Sequence, residues 1–346
     1  MRAVSMLSGG LDSILATRLI LEQGIEVFAL NSVSIFCTCT PRGRGCSAAR
    51  TEAERLGIPL KTVDASRELL ELAKAPPHGH GSGMNPCIDC RINLFRRGKQ
   101  YMEEIGAAFL VTGEVLGERP MSQRRDAMAL IEREAGLEGR IVRPLSARLL
   151  EPSIPEREGW IDRAALRDFS GRRRLPQIEL ARSMNVGDYP CPAGGCRLTD
   201  PSFATRIRDL IEHDPGCDVN DAQTLTVGRQ FRLAPSARAV VGRDEAENHR
   251  LRALARKGDL LLELADLTGP LTLLRGRPPA DGRPLLLSAA ITARYSKARG
   301  SENVAVRADN HTGKPIGTLR VSPAGDDTCL SMMVRPGRGT NDDSSG

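Results

Sequence analysis

The first 185 residues or so alternate between two hydrophobic patterns, and this alternation restricts the fold more than any other feature of the sequence. Short apolar runs typical of strands occupy residues 3–7, 26–30, 60–64 and 109–112. Segments with helical spacing occupy residues 11–22, 48–56, 67–73 and 91–105. This order predicts an α/β fold, a parallel doubly wound sheet of the Rossmann-like kind with helices on both faces. Such sheets bind ligands at the carboxyl ends of their strands.

The pattern changes beyond about residue 214, which predicts a second domain. Residues 223–231 and 239–241 have strand-like patterns, residues 245–256 are helical, and residues 260–266 and 285–292 are further apolar runs. We therefore expect a first domain over residues 1–212 and a small α+β domain over residues 213–333. Residues 334–346 are rich in Gly, Asp and Ser, and this composition predicts a disordered tail.

Composition excludes some functional classes. No window approaches the roughly 18 apolar residues of a membrane span, and the first residues lack the apolar stretch of a signal peptide, so we expect a cytoplasmic protein with no membrane partner. The formal net charge of +6 favours anionic partners. Aromatic residues make up only 3% of the chain, so arginine has to carry most of any contact with nucleic acid.

Residues 8–13 form the sharpest motif, SGGLDS, between the first predicted strand and the first predicted helix. Glycines at such a junction permit a tight turn, and the N–H groups of the helix start attract an anion. No lysine occupies the position that a Walker loop requires. The motif therefore predicts a phosphate site; the alternative is a plain turn with a capping Asp or Ser. The nucleotide-binding candidates are Ser8, Gly9, Gly10, Asp12 and Ser13.

The nine cysteines are an odd number in a chain that we expect in a reducing compartment, and this favours metal or redox chemistry over disulfides. Cys87 and Cys90 form a CxxC pair at a predicted helix start, and Cys191 and Cys196 lie in a later Pro/Gly loop. Four converging thiolates suit zinc or an iron–sulfur cluster; the alternative is inert buried cysteines. Whether three further cysteines line the crevice or belong to the core stays open: Cys37, Cys39 and Cys46. We predict that Cys217 and Cys329 are structural.

At residues 8–13 the chain resembles the PP-loop family of ATP pyrophosphatases, whose signature is SGGxDS. The resemblance implies that ATP is split between its α and β phosphates, normally with Mg²⁺, and that AMP is transferred to a carbonyl oxygen of the substrate. It also implies that the loop holds the leaving pyrophosphate. Within this family, Asp12 is a catalytic candidate.

The segment GMNPCIDCR, residues 83–91, resembles the GMNPxxxCN segment of the tRNA-specific 2-thiouridylases. The resemblance implies that Cys90 is the first catalytic cysteine and that Cys191 or Cys196 is the second. The additional Cys87 departs from that pattern. A CxxC with a distant third cysteine is similar to the set that holds a [4Fe–4S] cluster in iron–sulfur-dependent tRNA thiolases, so the cluster ligands expected are Cys87 and Cys90 with Cys191 or Cys196.

Residues 112–114, TGE, follow the fourth predicted strand, where thiolases commonly carry a TGH-like segment. Gly113 is a further nucleotide-binding candidate. Glu114 replaces the histidine, and its role as a Mg²⁺ ligand or as a surface acid stays open. His78 and His80 lie in a Gly-rich loop, for which a flexible solvated segment is the favoured interpretation.

Two arginine-rich regions are candidates for RNA contact. The first is the triplet Arg172, Arg173 and Arg174. The second includes Arg229, Arg232 and Arg243, in a segment that resembles the RNA-binding module of NFACT proteins. Arginine binds phosphate bidentately, although such runs are often only solvated faces. A dimerisation domain is the alternative for the C-terminal module.

These observations together predict an ATP-dependent tRNA uridine thiolase: a uridine carbonyl oxygen is adenylated, and sulfur then displaces AMP. The expected partners are tRNA and a sulfur donor, either inorganic sulfide or a persulfide carrier, and a homodimer stays open. The alternatives are a PP-loop ligase or amidotransferase for a small molecule, with structural zinc, and a non-catalytic RNA-binding protein.

Overall fold

The computed structural model describes residues 1–38, 47–187, 195–276 and 282–336. The chain divides into two compact units, Met1–Thr199 and Asp200–Gly346. Within the four described ranges, no helix is long and apolar enough to cross a membrane. Most of the predicted disordered tail, from residue 337 onward, lies outside these ranges.

The first unit contains a five-stranded parallel sheet in the order β3-β2-β1-β4-β5. Its strands are β1 (Arg2–Met6), β2 (Glu26–Val33), β3 (Leu60–Asp64), β4 (Phe109–Val111) and β5 (Ile141–Val142). Its helices are α1 (Leu11–Leu21), α2 (Ser47–Leu56), α3 (Ser66–Lys74), α4 (Cys87–Ile105), α5 (Arg125–Ala135), α6 (Ile154–Arg157) and α7 (Leu175–Ser183). Short 3-10 turns cover Ala147–Leu149, Arg163–Ala165 and Arg197–Thr199.

Alternate residues of β1 face two separate cores, which is the expected consequence of a sheet that is covered on both faces. Ala3 packs in one core with residues of α1 and α7, including Ile14 and Leu180. Val4 packs in the other core with Phe95 of α4 and with residues of α5. The predicted doubly wound α/β fold is therefore confirmed.

The strand order reverses at β1, because β2 and β3 lie on one side of it and β4 and β5 on the other. A ligand crevice opens at such a point, beyond the carboxyl ends of the two strands. Residues 8–13 follow β1, and Gly113 follows β4. The topology therefore brings the glycine motif and the TGE segment to the same edge of the sheet.

The second unit contains a six-stranded antiparallel sheet in the order β11-β10-β8-β9-β7-β6. Its strands are β6 (Arg229–Ala234), β7 (Ala237–Val241), β8 (Leu260–Leu264), β9 (Thr272–Gly276), β10 (Val304–Asn310) and β11 (Pro315–Val321). Its helices are α8 (Pro201–His213), α9 (Val219–Thr224), α10 (Glu245–Leu254), α11 (Arg283–Arg294) and α12 (Asp326–Met332). Helix α11 packs on the sheet through Ala289, Ile291 and Ala293.

The predicted strand over residues 223–231 is wrong in its first half. Asp218 caps α9 in a reciprocal capping box with Asp221, and this helix extends through Thr224. Gly228 then has φ +63°, and a Cβ atom there would lie 2.4 Å from the Val241 carbonyl oxygen. The strand begins only after this turn, at Arg229.

Two further differences concern the second unit. The apolar run 285–292 is part of helix α11, because its leucines and alanines are strong helix formers and Pro284 occupies the first turn. The unit itself begins at Asp200 rather than at the expected residue 213. Helix α8 belongs to it because Arg206 donates to the Leu225 carbonyl oxygen and Asp209 pairs with Arg232.

Candidate functional site

The loop between β1 and α1 is held in shape by its own serines. The Ser13 hydroxyl donates to the Gly10 carbonyl oxygen at 2.8 Å and lies 3.1 Å from the Ser8 hydroxyl. The Gly10 amide donates to the Ser8 hydroxyl at 3.3 Å. Gly10 is the N-cap of α1, and no side chain caps the helix. The first amides of α1 are therefore not consumed by a capping side chain, which suits an anion at this helix start.

Two of the predicted nucleotide-binding glycines are required by close backbone contacts. Gly9 has φ +79°, and a Cβ atom there would lie 2.6 Å from the Ala49 amide nitrogen. A Cβ atom on Gly113 would lie 2.5 Å from the Ser13 amide nitrogen. Residue 113 therefore allows the end of β4 to touch the loop, which closes one side of the crevice.

Asp12 lies in a charged cluster at the loop. Its Oδ2 atom lies 3.3 Å from Nη2 of Arg174, and the same guanidinium nitrogen donates to Glu118. Burial raises the pKa of Asp12 to about 6, the nearby Glu118 adds to the rise, and Arg174 opposes it. Asp12 Oδ1 and Glu118 Oε2 are buried and have no hydrogen-bond partner among the described residues. Two carboxylate oxygens without donors match the ligands that Mg²⁺ prefers.

The sequence did not single out Glu118, and it assigned Arg174 to RNA. The structure brings both to the nucleotide loop, since the Arg174 side chain is only 18% exposed and ion-paired with Asp12 and Glu118. Its neighbours Arg172 and Arg173 are exposed. The sequence did contain one sign that Glu118 could belong to the site, because it lies only a few residues after β4 and Gly113.

Three segments that are distant in the sequence bring cysteines together. Cys87 and Cys90 occupy the first turn of α4. Cys37 follows β2 and forms an isolated antiparallel bridge with Cys196. The Thr38 amide donates to the Gly195 carbonyl oxygen at 3.1 Å, and the Arg197 amide donates to the Phe36 carbonyl oxygen at 2.7 Å, which fixes this pairing.

The four thiols are electrostatic neighbours. Burial raises the pKa of Cys90 to about 11, with Cys87 and Cys37 adding to the rise and Arg91 opposing it. Burial also raises the pKa of Cys196 to about 12, and the thiols of Cys90, Cys87 and Cys37 add to this rise. Without a bound cation, Cys90 and Cys196 are therefore neutral thiols near neutral pH.

The four thiols are ligands of the kind that zinc and iron–sulfur clusters bind. Their arrangement, however, is not that of a formed metal site. Among the described residues, no group of three or more His, Cys, Asp or Glu side chains is arranged to hold a metal ion. Cys191, predicted as a catalytic or cluster residue, lies outside the described residues, as do Cys39 and Cys46. Cys37, left open by the sequence, joins the set instead.

The GMNP segment is anchored beside these thiols. The Met84 amide donates to the Leu198 carbonyl oxygen at 2.9 Å. The Asn85 side-chain amide donates to the sulfur of Cys87 at 3.1 Å, and its carbonyl oxygen accepts from the Gly83 amide. Asn85 is buried, so this contact orients the first thiol of the CxxC pair.

Glu114 is the centre of a buried ion-pair group. Its Oε2 atom accepts from Nε of Arg143 at 2.9 Å, and its Oε1 atom lies 3.1 Å from Nε of Arg91. Arg143 also pairs with Glu132. Glu114 is thus not a surface acid, and both of its carboxylate oxygens lie beside arginines, one of which, Arg91, is the residue next to Cys90. Arg143 directly follows β5, and that position at a strand end was the signal for it.

Both histidines of the Gly-rich loop have hydrogen-bond partners, which differs from the solvated segment expected. His78 Nδ1 lies 2.7 Å from Oδ1 of the buried Asp89, and the His78 amide donates to Oδ2 of the same carboxylate. His80 Nε2 lies 2.9 Å from the Ala73 carbonyl oxygen. Asp89 stands between the two cysteines of the CxxC pair, so the loop is tied to the start of α4.

The arginines predicted to bind RNA in the second unit have different surroundings. Arg229 lies over the ring of Tyr295, with 4.5 Å from the guanidinium carbon to the ring centroid. Arg232 pairs with Asp209, and Arg243, which is half exposed, pairs with Glu247.

Two family models match the chain, one in each unit. Residues 1–148 match the model described as thiamine biosynthesis protein (ThiI). Residues 228–333 match the model described as NFACT protein RNA binding domain.

Curated relatives match part of the chain. The tRNA-specific 2-thiouridylase MnmA of Nitrobacter hamburgensis is 32% identical over 132 residues, which are 35% of this chain and 33% of the relative. The enzyme of the same name from Syntrophotalea carbinolica is 34% identical over 116 residues, covering 31% of this chain and 32% of the relative. The chain thus spans about a third of the length of these relatives.

Solved structures are similar over longer stretches. A 4-thiouridine synthetase in complex with RNA and ATP is 22% identical, with a TM-score of 0.35, over 64% of this chain and 53% of that chain. The U34-tRNA thiolase NcsA from Methanococcus maripaludis, solved with its [4Fe-4S] cluster, is 16% identical, with a TM-score of 0.31, over 65% of this chain and 69% of that one. Residues 1–148 are thus similar to the ThiI family, and residues 228–333 are similar to the RNA-binding domain of NFACT proteins.

Proposed function

We propose that this protein is an ATP-dependent tRNA uridine thiolase that acts in the cytoplasm. The proposal depends on one observation: a loop suited to phosphate and a group of cysteine thiols lie at the carboxyl edge of the same parallel sheet. The SGGLDS loop follows β1, and four thiols lie near the same edge. Cys37 follows β2, Cys87 and Cys90 lie at the start of α4, and Cys196 is paired with Cys37. The MnmA relatives, which are 32% and 34% identical to parts of this chain, are tRNA-specific 2-thiouridylases, and this supports the proposal.

The first step is the activation of a uridine carbonyl. The amides at the start of α1 and the hydroxyls of Ser8 and Ser13 bind the β and γ phosphates, so that the α-phosphorus faces the uridine oxygen. That oxygen attacks the α-phosphorus, the α–β phosphoanhydride bond breaks, and pyrophosphate leaves. Asp12 and Glu118 would hold the Mg²⁺ that accompanies ATP. The metal ion would neutralise negative charge on the phosphates. Arg174 is released from them to pair with phosphate oxygen.

The second step replaces AMP with sulfur. A sulfur nucleophile attacks the activated carbon, a C–S bond forms, the C–O bond breaks, and AMP leaves with the bond's electrons. In the persulfide route, the terminal sulfur on Cys90 attacks, and the thiol of Cys196 then cleaves the S–S bond. A disulfide between the two cysteines results, and an external dithiol reduces it. In this route the sulfur donor is a persulfide carrier, whose outer sulfur is already at the oxidation level that Cys90 requires, and the carrier is left as a thiol; inorganic sulfide can serve as the donor only in the cluster route.

A [4Fe–4S] cluster is the alternative carrier and the one that we favour. Bound by Cys87, Cys90 and either Cys196 or Cys191, it would supply an iron that holds hydrosulfide for the same attack. The extra thiol of Cys87 relative to the 2-thiouridylase segment supports this choice. Zinc on the same thiols would be structural.

The proposal is tested with anaerobically purified protein, tRNA, MgATP and sulfide, by measuring AMP release and the mass of tRNA nucleosides. We expect AMP and thiouridine to form together. Ser13→Ala lowers AMP formation at least about tenfold and leaves RNA affinity unchanged, because Ser13 shapes only the phosphate loop. Ser183→Ala, which removes a local helix-end hydrogen bond, is the matched control.

Three results would contradict the proposal. AMP formation without tRNA, by a colourless zinc protein, indicates a ligase for a small molecule. RNA binding without any AMP indicates a non-catalytic RNA-binding protein. Normal turnover of Ser13→Ala removes the loop from the mechanism.

A further inference from the structure

The second unit contains a cavity of about 610 Å³ that the proposed chemistry does not use. It is bordered by the start of α10, by the segment after β8, and by the residues that follow α11. A volume of this size lies within the range of about 300–1,000 Å³ that is typical of small-molecule sites. Leu267 and Pro270 contribute an apolar wall, and the Leu267 side chain is 54% exposed there.

A stacked cation and aromatic ring form another wall of this cavity. The guanidinium of Arg229 lies 4.5 Å from the ring centroid of Tyr295. The Tyr295 ring also contacts the ring of the buried Phe231, and the two ring centroids are 5.9 Å apart. Arg229 and Phe231 thus both pack against one of the three tyrosines of the chain. Planar guanidinium and aromatic groups are the surfaces on which unpaired bases stack.

Two of the four arginine and lysine side chains that border the cavity have no carboxylate partner within the described ranges, although Asp244, Glu245 and Glu263 also border it. Arg243 pairs with Glu247, and Arg252 pairs with Glu263. Arg229 and Lys297 also line the cavity, and the described part of the chain offers neither of them a carboxylate at ion-pair distance. These two side chains are therefore available to pair with an anion from outside the protein.

We propose that this cavity binds one unpaired nucleotide of an RNA. Its base stacks beside the Arg229–Tyr295 pair and against Leu267, and its phosphate pairs with Lys297. The inference rests on the proposed function with tRNA as substrate and on the similarity of this unit to an RNA-binding domain, and adds to them a defined pocket and a preference for single-stranded nucleotides. Asn248 fixes the pocket floor, because its side chain donates to the Gly269 carbonyl oxygen and accepts from the Leu271 amide.

The test uses the full chain and a ten-nucleotide single-stranded RNA that carries 2-aminopurine, with a blunt RNA duplex for comparison. We expect the base fluorescence to fall on binding, since stacking quenches it. Arg229→Met and Tyr295→Leu weaken binding of the single strand about tenfold and remove the quenching. Binding of the duplex changes less than twofold. Lys297→Met serves as a variant that leaves the aromatic packing intact, and it weakens single-strand binding without removing the quenching.

Arg320→Met is the matched control, because it removes one exposed charge from β11, outside the cavity. Equal losses in Arg229→Met and Arg320→Met would mean that only net charge matters, and would overturn the proposal. Loss of the 2-aminopurine quenching on addition of free AMP at the concentration at which the single strand itself binds would overturn it too, because the pocket would then serve a mononucleotide. AMP formation by the same variants reports separately on thiolation, so a protein that stacks RNA without adenylating it refutes the proposed function alone.

Discussion

Asp12 combines two features that are seldom compatible, a place at a phosphate loop and a pKa raised by burial. Its carboxyl loses hydration and faces Glu118, and one arginine serves both acids. In the folded protein the group therefore holds its proton to about pH 6, against 3.8 for the ordinary value. The stability that this proton supplies is present below the ordinary pKa and is lost as the pH rises through 6.

The resulting prediction compares Asp12→Asn with the parent chain in urea unfolding at about pH 4 and about pH 8. From the lower to the higher pH, the free energy of unfolding of the variant rises by up to about 3 kcal/mol relative to that of the parent, because asparagine has no charge to bury. Glu118→Gln removes the acid that adds to the shift, so it reduces the pH dependence of the parent's stability. A difference between Asp12→Asn and the parent that stays constant with pH would contradict the raised pKa.

Glu114 provides the second prediction for a single side chain. Replacing it with glutamine leaves Arg143 buried with one remaining acid, and leaves Arg91 without its partner. We expect Glu114→Gln to lower the free energy of unfolding by about 3–5 kcal/mol, as for other broken buried pairs. Glu104→Gln, which breaks an exposed pair with Lys61, costs less than about 1 kcal/mol. Equal effects in urea unfolding would show that burial does not matter here.

The strands and helices of the first unit up to β4 could be predicted because they follow one another as short apolar runs and helical patterns between turn residues, whereas α5 and β5 were not predicted. The predicted run 60–64 coincides with β3, and the predicted helix 11–22 ends one residue after α1. The second unit was harder. A helix rich in leucine and alanine shows no strong hydrophobic periodicity when both of its faces carry apolar residues. Residues 285–292 were therefore read only as an apolar run and not as a helix. Strands β9, β10 and β11 were not predicted; of these, β11 is largely exposed and has little apolar contrast.

Adjacent glycines of the nucleotide loop differ in what they permit, and this gives a prediction for the loop as an element. Gly9→Ala and Gly113→Ala place a methyl group within 2.6 Å of backbone atoms, so the loop has to move. We expect either change to abolish ATP binding in equilibrium dialysis. Gly10→Ala is the control, because its methyl group meets only the Ser8 hydroxyl at 3.5 Å. Loss of ATP binding in Gly10→Ala as well would mean that the loop tolerates no side chain at all.

At the scale of the whole molecule, the site is assembled from segments whose contacts no local pattern encodes. The sequence identified the CxxC pair and the later cysteines, since spacing and loop composition are local properties. It could not choose between Cys37 as core and Cys37 as site, because that depends on the pairing of residue 37 with residue 196. The same holds for Arg174, which is paired with Asp12 across more than a hundred residues.

This assembly predicts which cysteines retain iron. After anaerobic reconstitution with iron and sulfide, the parent chain is expected to be brown, and Cys87→Ser, Cys90→Ser and Cys196→Ser each to lose most of the iron measured by mass spectrometry. The physical reason is that three thiolates hold a cluster with one open iron, so each of the three expected ligands contributes directly to cluster binding. Cys217→Ser is the control, because that thiol is buried in the second unit. Full iron content in Cys196→Ser together with loss in Cys191→Ser would transfer the third position to residue 191, and full content in Cys87→Ser would exclude the cluster on the CxxC pair.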